Sequence, residues 1–164
     1  MSASRISIPV ALVCLALIGC GRGIDEEGAR SPEELGRAVV DALNSQDQEA
    51  LHRLRVNRRE YTETLWPAFP GSDPKLNFTP EFAWGNMNRK CIVGVEKWVR
   101  RYGGNNLTFI GIRFDRPTEP YEGFQLLRGT LLTVRSPKGD QVDLRILGSV
   151  VQRDAHYKLL SYDD

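Results

Sequence analysis

The sequence predicts an α+β fold: N-terminal helices packed on a C-terminal four-stranded antiparallel meander, which could close into a cone-shaped roll. Three observations predict it. Between residues 31 and 102 apolar side chains recur every three or four positions, the period of a helix with one buried stripe. Between 107 and 162 they alternate instead, the period of a half-buried strand. The connections within that second half are short and rich in Gly, Pro, Asn and Asp, which suits antiparallel neighbours rather than helical crossovers.

The chain opens with Met1-Ser2-Ala3-Ser4-Arg5, followed by an apolar run from Ile6 to Gly19 that only Ser7 and Pro9 interrupt. A short basic start and an apolar run of this length suit a secretory signal peptide. The run is shorter than the roughly 20 apolar residues of a membrane-spanning helix. At its end, Leu17-Ile18-Gly19-Cys20 resembles the lipobox of bacterial lipoproteins. That resemblance implies cleavage before Cys20 and attachment of lipid to the sulfur and amine of Cys20. It places the protein in the bacterial cell envelope, lipid-anchored to a membrane and facing outside the cytoplasm.

Residues 1–19 are thus expected to be a lipoprotein signal peptide, residues 20–30 a flexible tether, and residues 31–164 a single α+β domain. Gly21 to Arg30 contains three glycines and five charged side chains with no apolar period, as a linker would. Removal of 19 residues from 164 leaves 145, the size of one ordinary domain. Loss of Arg5 leaves 21 basic and 21 acidic residues. A neutral domain gives no electrostatic reason to expect nucleic acid as a partner. Of the three cysteines, Cys14 lies in the leader and Cys20 would be acylated. Cys91 therefore has no partner for an intramolecular disulfide, and its place in an apolar helical stripe predicts a buried packing thiol.

Ser31-Pro32-Glu33-Glu34 starts the first helix: Ser31 caps, Pro32 suits the first helical position, and Glu34 completes a capping box. Leu35, Ala38, Val39, Ala42 and Leu43 form its stripe, and Asn44-Ser45-Gln46 ends it. Asp47 caps a short second helix through Ala50, Leu51 and Leu54. Asn57-Arg58-Arg59-Glu60 starts a third through Tyr61 and Leu65 to Trp66, which Pro67 and Pro70-Gly71 stop. Thr79-Pro80-Glu81 opens the longest helix, whose stripe is Trp84, Met87, Cys91, Val95, Trp98 and Tyr102. Gly103-Gly104 ends it.

The second half reads as strands. Leu107 to Phe114 is β-rich, and Arg116 to Pro120 breaks it. Phe124 to Val134 alternates, with Phe124, Leu126, Leu132 and Val134 on one face. Ser136 to Asp140 makes a hairpin turn. Val142, Leu144, Ile146 and Val150 line one face of the next strand, and Tyr157 to Tyr162 is the last. Strict alternation would also turn Arg128 towards the helices. Gly129 beside it signals a bulge that returns Arg128 to solvent. An irregularity near Gly129 is therefore expected, with Arg128 not a buried ligand.

Two stretches are similar to the nuclear transport factor 2-like superfamily, also called ketosteroid-isomerase-like or SnoaL-like. One is the capped helix from Ser31 that breaks at Asn44 to Asp47 and resumes as Asp47-Gln48-Glu49-Ala50-Leu51, ending at Leu54. The other is the closing hairpin from Val150 to Leu160. The resemblance implies a curved antiparallel sheet wrapped around helices as a cone. The chain departs from it in lacking a strand pair between the early helices and the long one. A cystatin-like or other four-stranded α+β layout fits the same pattern. Members of the superfamily include isomerases, dehydratases and non-enzymatic modules, so the fold leaves function open.

Catalytic motifs are absent from the sequence. There is no Gly-x-Ser-x-Gly, Cys-x-x-Cys, His-x-x-x-His or glycine-rich phosphate loop, and no spacing suggests a metal or a cofactor. His52 and His156 are the two candidate neutral-pH bases, and both are expected at the surface. Glu60 beside Tyr61 and Glu81 near Trp84 are candidate carboxylate bases, although helix capping and surface placement explain both. Tyr61, Trp66, Trp84 and Arg128 are the candidates for lining a ligand pocket. The expected function is a non-catalytic binding or interaction module of the envelope, with an envelope protein or small apolar ligand as partner. The competing expectation is a small lyase or isomerase with an apolar cone-shaped pocket.

Overall fold

The structure is a computed structural model that describes residues 28–163. The expected signal peptide, the lipobox with Cys20 and the tether up to residue 27 lie outside the described residues. Within them, helices come first and antiparallel strands after, as an α+β fold requires.

Helix α1 spans Pro32–Ser45. Ser31 Oγ accepts from the Glu34 amide at 3.1 Å. The Glu34 carboxylate reaches back one residue further than in a standard capping box, accepting from the Arg30 amide at 2.6 Å. Gln46 closes the helix in a left-handed conformation at φ 58°. Helix α2 spans Gln48–Arg53, and Asp47 Oδ1 accepts from the Ala50 amide at 2.8 Å to cap it.

The third helix forms a different kind of turn from the one expected. Asn57 and Glu60 make a full reciprocal capping box, with bonds of 2.9 and 2.7 Å. The box leads into a wide π-helical segment at Glu60–Leu65 and then a 3₁₀ turn at Trp66–Ala68. Helix α3 spans Pro80–Tyr102, capped by Thr79. Its side against the C-terminal tail is held tightly. Trp98 Nε1 donates to the Asp163 carbonyl at 2.6 Å, and a Cβ at Gly94 would meet that same carbonyl at 3.0 Å.

Among the described residues the strands number seven in two sheets, rather than four in one meander. They are β1 (Thr108–Phe114), β2 (Glu119–Tyr121), β3 (Phe124–Leu127), β4 (Thr130–Arg135), β5 (Gln141–Leu144), β6 (Val150–Arg153) and β7 (His156–Leu159). One sheet has the order β1-β4-β5 and the other β2-β3-β6-β7. The run expected as one strand from 124 to 134 breaks at Arg128 and Gly129, where Gly129 takes φ +67°. β3 therefore pairs with β6, while β4 pairs with β1 and β5. The next run changes sheet at the same level, between Leu144 and Val150. Thr130 Oγ1 donates to the Gly148 carbonyl at 2.6 Å across this corner.

Most of the buried apolar residues join one core between the helices and the sheets. Leu35, Val39 and Leu43 from α1 meet Cys91, Val95 and Trp98 from α3, with Leu132, Val134, Leu144 and Ile146 beneath. Cys91 is fully buried there. Asn44 ties the end of α1 to the start of the strands, donating to and accepting from the Leu107 backbone at 2.8 Å each. A second cluster gathers Val56, Tyr61, Leu65, Phe124, Leu126 and Val151.

The last three residues of the expected tether belong to the folded domain. Ala29 is 1 % exposed. Its amide donates to the Tyr157 carbonyl at 3.0 Å and its carbonyl accepts from the Tyr157 amide at 2.8 Å. Those paired bonds are what a linker lacks, so residues 28–30 pack with the domain expected to start at Ser31.

Candidate functional site

Among the described residues Arg55 is the charged one that the fold buries, 5 % exposed. Its position follows from the local sequence. Helix α2 stops at Arg53, and residues 54–56 then run parallel to β7. The Leu159 amide donates to the Leu54 carbonyl, and the Val56 amide donates to the Leu159 carbonyl, both at 2.9 Å. Leu54 and Val56 join the two apolar clusters. The side chain of Arg55, the one residue of this segment bridged to β7, reaches α3. There Nη1 donates to Asn88 Oδ1 at 3.2 Å. The guanidinium carbon lies over the Trp84 ring, 5.6 Å from its centroid.

Two donors of this guanidinium are left over. Nε and Nη2 are covered and find no acceptor. These are the two nitrogens whose N–H groups point along one edge of the planar group, the edge that grips a carboxylate side-on. A buried donor left unanswered costs about 1–3 kcal/mol, and more when it is charged. The Trp84 contact returns about 2 kcal/mol when desolvated. Burial accordingly pushes the Arg55 pKa down.

Arg55, Trp84 and Asn88 line a cleft of about 600 Å³, completed by His52, Arg53, Val56, Asn57, Arg58, Ile92 and Lys158. No carboxylate is among these lining residues. Two of the cations are answered from outside: Arg53 lies 3.6 Å from both Asp47 and Glu49, and Lys158 Nζ lies 2.6 Å from Glu60. The half-buried His52 has its pKa lowered, chiefly by burial and then by the charge on Arg55, with Glu96 opposing. A neighbouring cleft of about 440 Å³ shares Val56, Asn57 and Lys158, and adds Glu60, Arg153, Asp154 and His156.

Three of the four residues expected in a pocket come together, but as packing. Tyr61 is buried, with its ring centroid 5.5 Å from Trp84, 6.2 Å from Trp66 and 6.2 Å from Phe69. Phe69 in turn meets Tyr121 and Phe124 edge-on. The space between them is filled by rings. Only Trp84 of the four lines the large cleft. Arg128 stands apart at the sheet break, its side chain 39 % exposed and paired with Glu119. Glu119 also accepts from the Tyr121 hydroxyl at 3.1 Å.

Neither candidate carboxylate base is free in a pocket. Both oxygens of Glu60 are engaged, one by the Asn57 amide and one by Lys158. Glu81 is exposed in the first turn of α3. His52 and His156, expected at the surface, are half-buried at cleft walls. Among the described residues no three His, Cys, Asp or Glu side chains converge as a metal site would need. No described helix is long and apolar enough to cross a membrane.

The residues that sequence reasoning missed are Arg55, Asn88 and Lys158. No local signal marks Arg55, which follows the helix stop among the other basic residues Arg53, Arg58 and Arg59. Compared with family models, with curated proteins and with solved structures, the chain matches none of them.

Proposed function

We propose that this chain is a membrane-anchored envelope lipoprotein whose folded domain is a non-catalytic binding module. The observation that carries the binding reading is the cleft at Arg55: a buried guanidinium with one edge lacking any acceptor, an aromatic ring over its face, and no carboxylate on the wall. Such a constellation recognises a negatively charged group. Two further features support binding over a lyase or isomerase. The space under α3, where a cone would hold substrate, is packed with apolar side chains. An exposed apolar patch of Leu76, Phe78 and Phe82 lies at the start of α3, and such patches mark interaction surfaces. Anchorage rests on the resemblance of Leu17-Ile18-Gly19-Cys20 to a lipobox, and the likeness to the nuclear transport factor 2-like superfamily rests on the stretches 31–54 and 150–160.

The test uses protein extracted from membranes with detergent. Mass spectrometry should find Cys20 as an acylated first residue, and Cys20→Ser should move the protein out of the membrane fraction. The purified protein, equilibrated with a bacterial metabolite extract, should retain a compound unchanged in mass, and Arg55→Met should not retain it. A compound consumed with a new product appearing would replace binding by catalysis.

A further inference from the structure

The ligand class is set by which donors of Arg55 are open and what surrounds them, and it rests on the binding-module reading. We infer that the Arg55 cleft takes a small monocarboxylate with a planar apolar body, its two oxygens held side-on by Nε and Nη2 of Arg55. Nη1 is already turned to Asn88 at 3.2 Å, which fixes the roll of the guanidinium and leaves the opposite edge for the ligand. Two parallel N–H groups match the two oxygens of one carboxylate. One buried cation calls for one buried negative charge. Of the four cations on the wall, Arg53 and Lys158 are each answered by acidic residues, Arg58 is exposed to water, and Arg55 is the buried one that a ligand would neutralise. Trp84 and Ile92 supply an apolar wall beside it, and a cleft of about 600 Å³ has the size of small-molecule sites.

Both open nitrogens are covered in the structure, and Trp84 lies over the guanidinium. A carboxylate reaches them by shifting the side chains that cover that edge, and Trp84, which touches the guanidinium face and lines the cleft, reports occupancy.

The experiment titrates the purified full chain with benzoate, benzyl alcohol and phenyl phosphate, the first two differing only in the charged group. Two signals are monitored: the Nε–H resonance of Arg55 by ¹⁵N NMR, and tryptophan fluorescence with Trp84→Phe as the control. Benzoate should shift the Arg55 resonance saturably and change the Trp84 emission. Benzyl alcohol and phenyl phosphate should bind at least about 10-fold more weakly, the loss expected when a charge-assisted pair is removed or mismatched. Arg55→Lys, which keeps the charge and loses the fork, should weaken benzoate by about 10- to 100-fold with an unchanged fold. An unmoved Arg55 resonance at saturating benzoate overturns the inference, as does phenyl phosphate binding more tightly than benzoate. Because these readouts use wild-type protein, they decide the ligand class even if Arg55 variants fail to fold. The module reading fails separately, through turnover of a compound from the metabolite extract.

Discussion

His52 shares a cleft wall with Arg55, and burial together with that neighbour holds its pKa below the ordinary 6.5. A base with a lowered folded pKa binds its proton later in the folded chain than in the unfolded one. Stability is then full above about pH 6.5, falls as pH drops through that value, and levels off below the folded pKa. Denaturant midpoints measured from pH 7.5 to about 5 should decline for the wild type and stay flatter for His52→Gln. Asp115 and Asp143 do not confuse this window. Their pKa values are lowered, mainly by hydrogen bonds from Arg145 and Thr133 respectively, so their contribution is lost only below the ordinary carboxylate value of 3.8. Cys91 gives a second test at this scale. It is fully buried between α1, α3 and the sheet, so a thiol reagent should label the native protein at least about 100-fold more slowly than the denatured chain, in line with an opening equilibrium of a few kcal/mol. Rapid native labelling would show that α3 is not seated as described. The burial of Cys91 is legible in its own sequence neighbourhood, because Met87 and Val95 flank it at helical spacing. That of Arg55 is not, because its partners Trp84, Asn88 and Leu159 are 29 or more positions away.

At the scale of elements, the turn at Arg128-Gly129 decides how the strands divide. Gly129 takes φ +67°, a region that costs other residues about 1–2 kcal/mol. A Cβ there would also collide with the Asp115 carboxylate, which pairs with Arg145. Gly129→Ala should therefore destabilise the domain by about 1–3 kcal/mol. Gly139→Ala is the fitting comparison, since φ there is +94° but nothing crowds its Cβ; it should lose only the conformational part. Equal losses in equilibrium denaturation would remove Asp115 from the explanation. This corner shows which part of an element the sequence carries. Local signals are read correctly: Ser31, Asp47, Asn57 and Thr79 all accept from the helices they begin, and Gly129 marks a break. Partner choice is not local. Phe124 and Leu132 share an alternating pattern, yet Phe124 belongs to the sheet that pairs with β6 and Leu132 to the sheet that pairs with β1. The π-helical geometry of Glu60–Leu65 is likewise absent from its cap, which would start an α-helix equally well.

For the whole molecule, the question is where the domain begins, because that sets how the cleft stands to the proposed anchor. Residues 28–30 carry glycine and charge, the composition of a linker, and composition alone assigns them to the tether. Pairing with Tyr157 overrides it, and Tyr157 lies 128 positions further on. Ala29 extends the edge of β7, and a Cβ at Gly28 would touch the Lys158 side chain at 2.9 Å, so the chain enters the domain beside a wall of the Arg55 cleft. If Cys20 carries the lipid, the seven residues 21–27 can reach at most about 25 Å, and the cleft wall stays within that order of distance from the membrane. The domain boundary itself is open to a direct test. A chain starting at Ser31 loses the two bonds between Ala29 and Tyr157, the Arg30 amide bond to Glu34, and the apolar contact of Ala29. At about 0.5–1.5 kcal/mol net for each hydrogen bond, it should be less stable than a chain starting at Gly28 by about 2–4 kcal/mol. Urea denaturation of the two chains, with equal slopes, gives that difference from the midpoints. Coincident midpoints would return residues 28–30 to the tether and free the cleft from its nearness to the anchor.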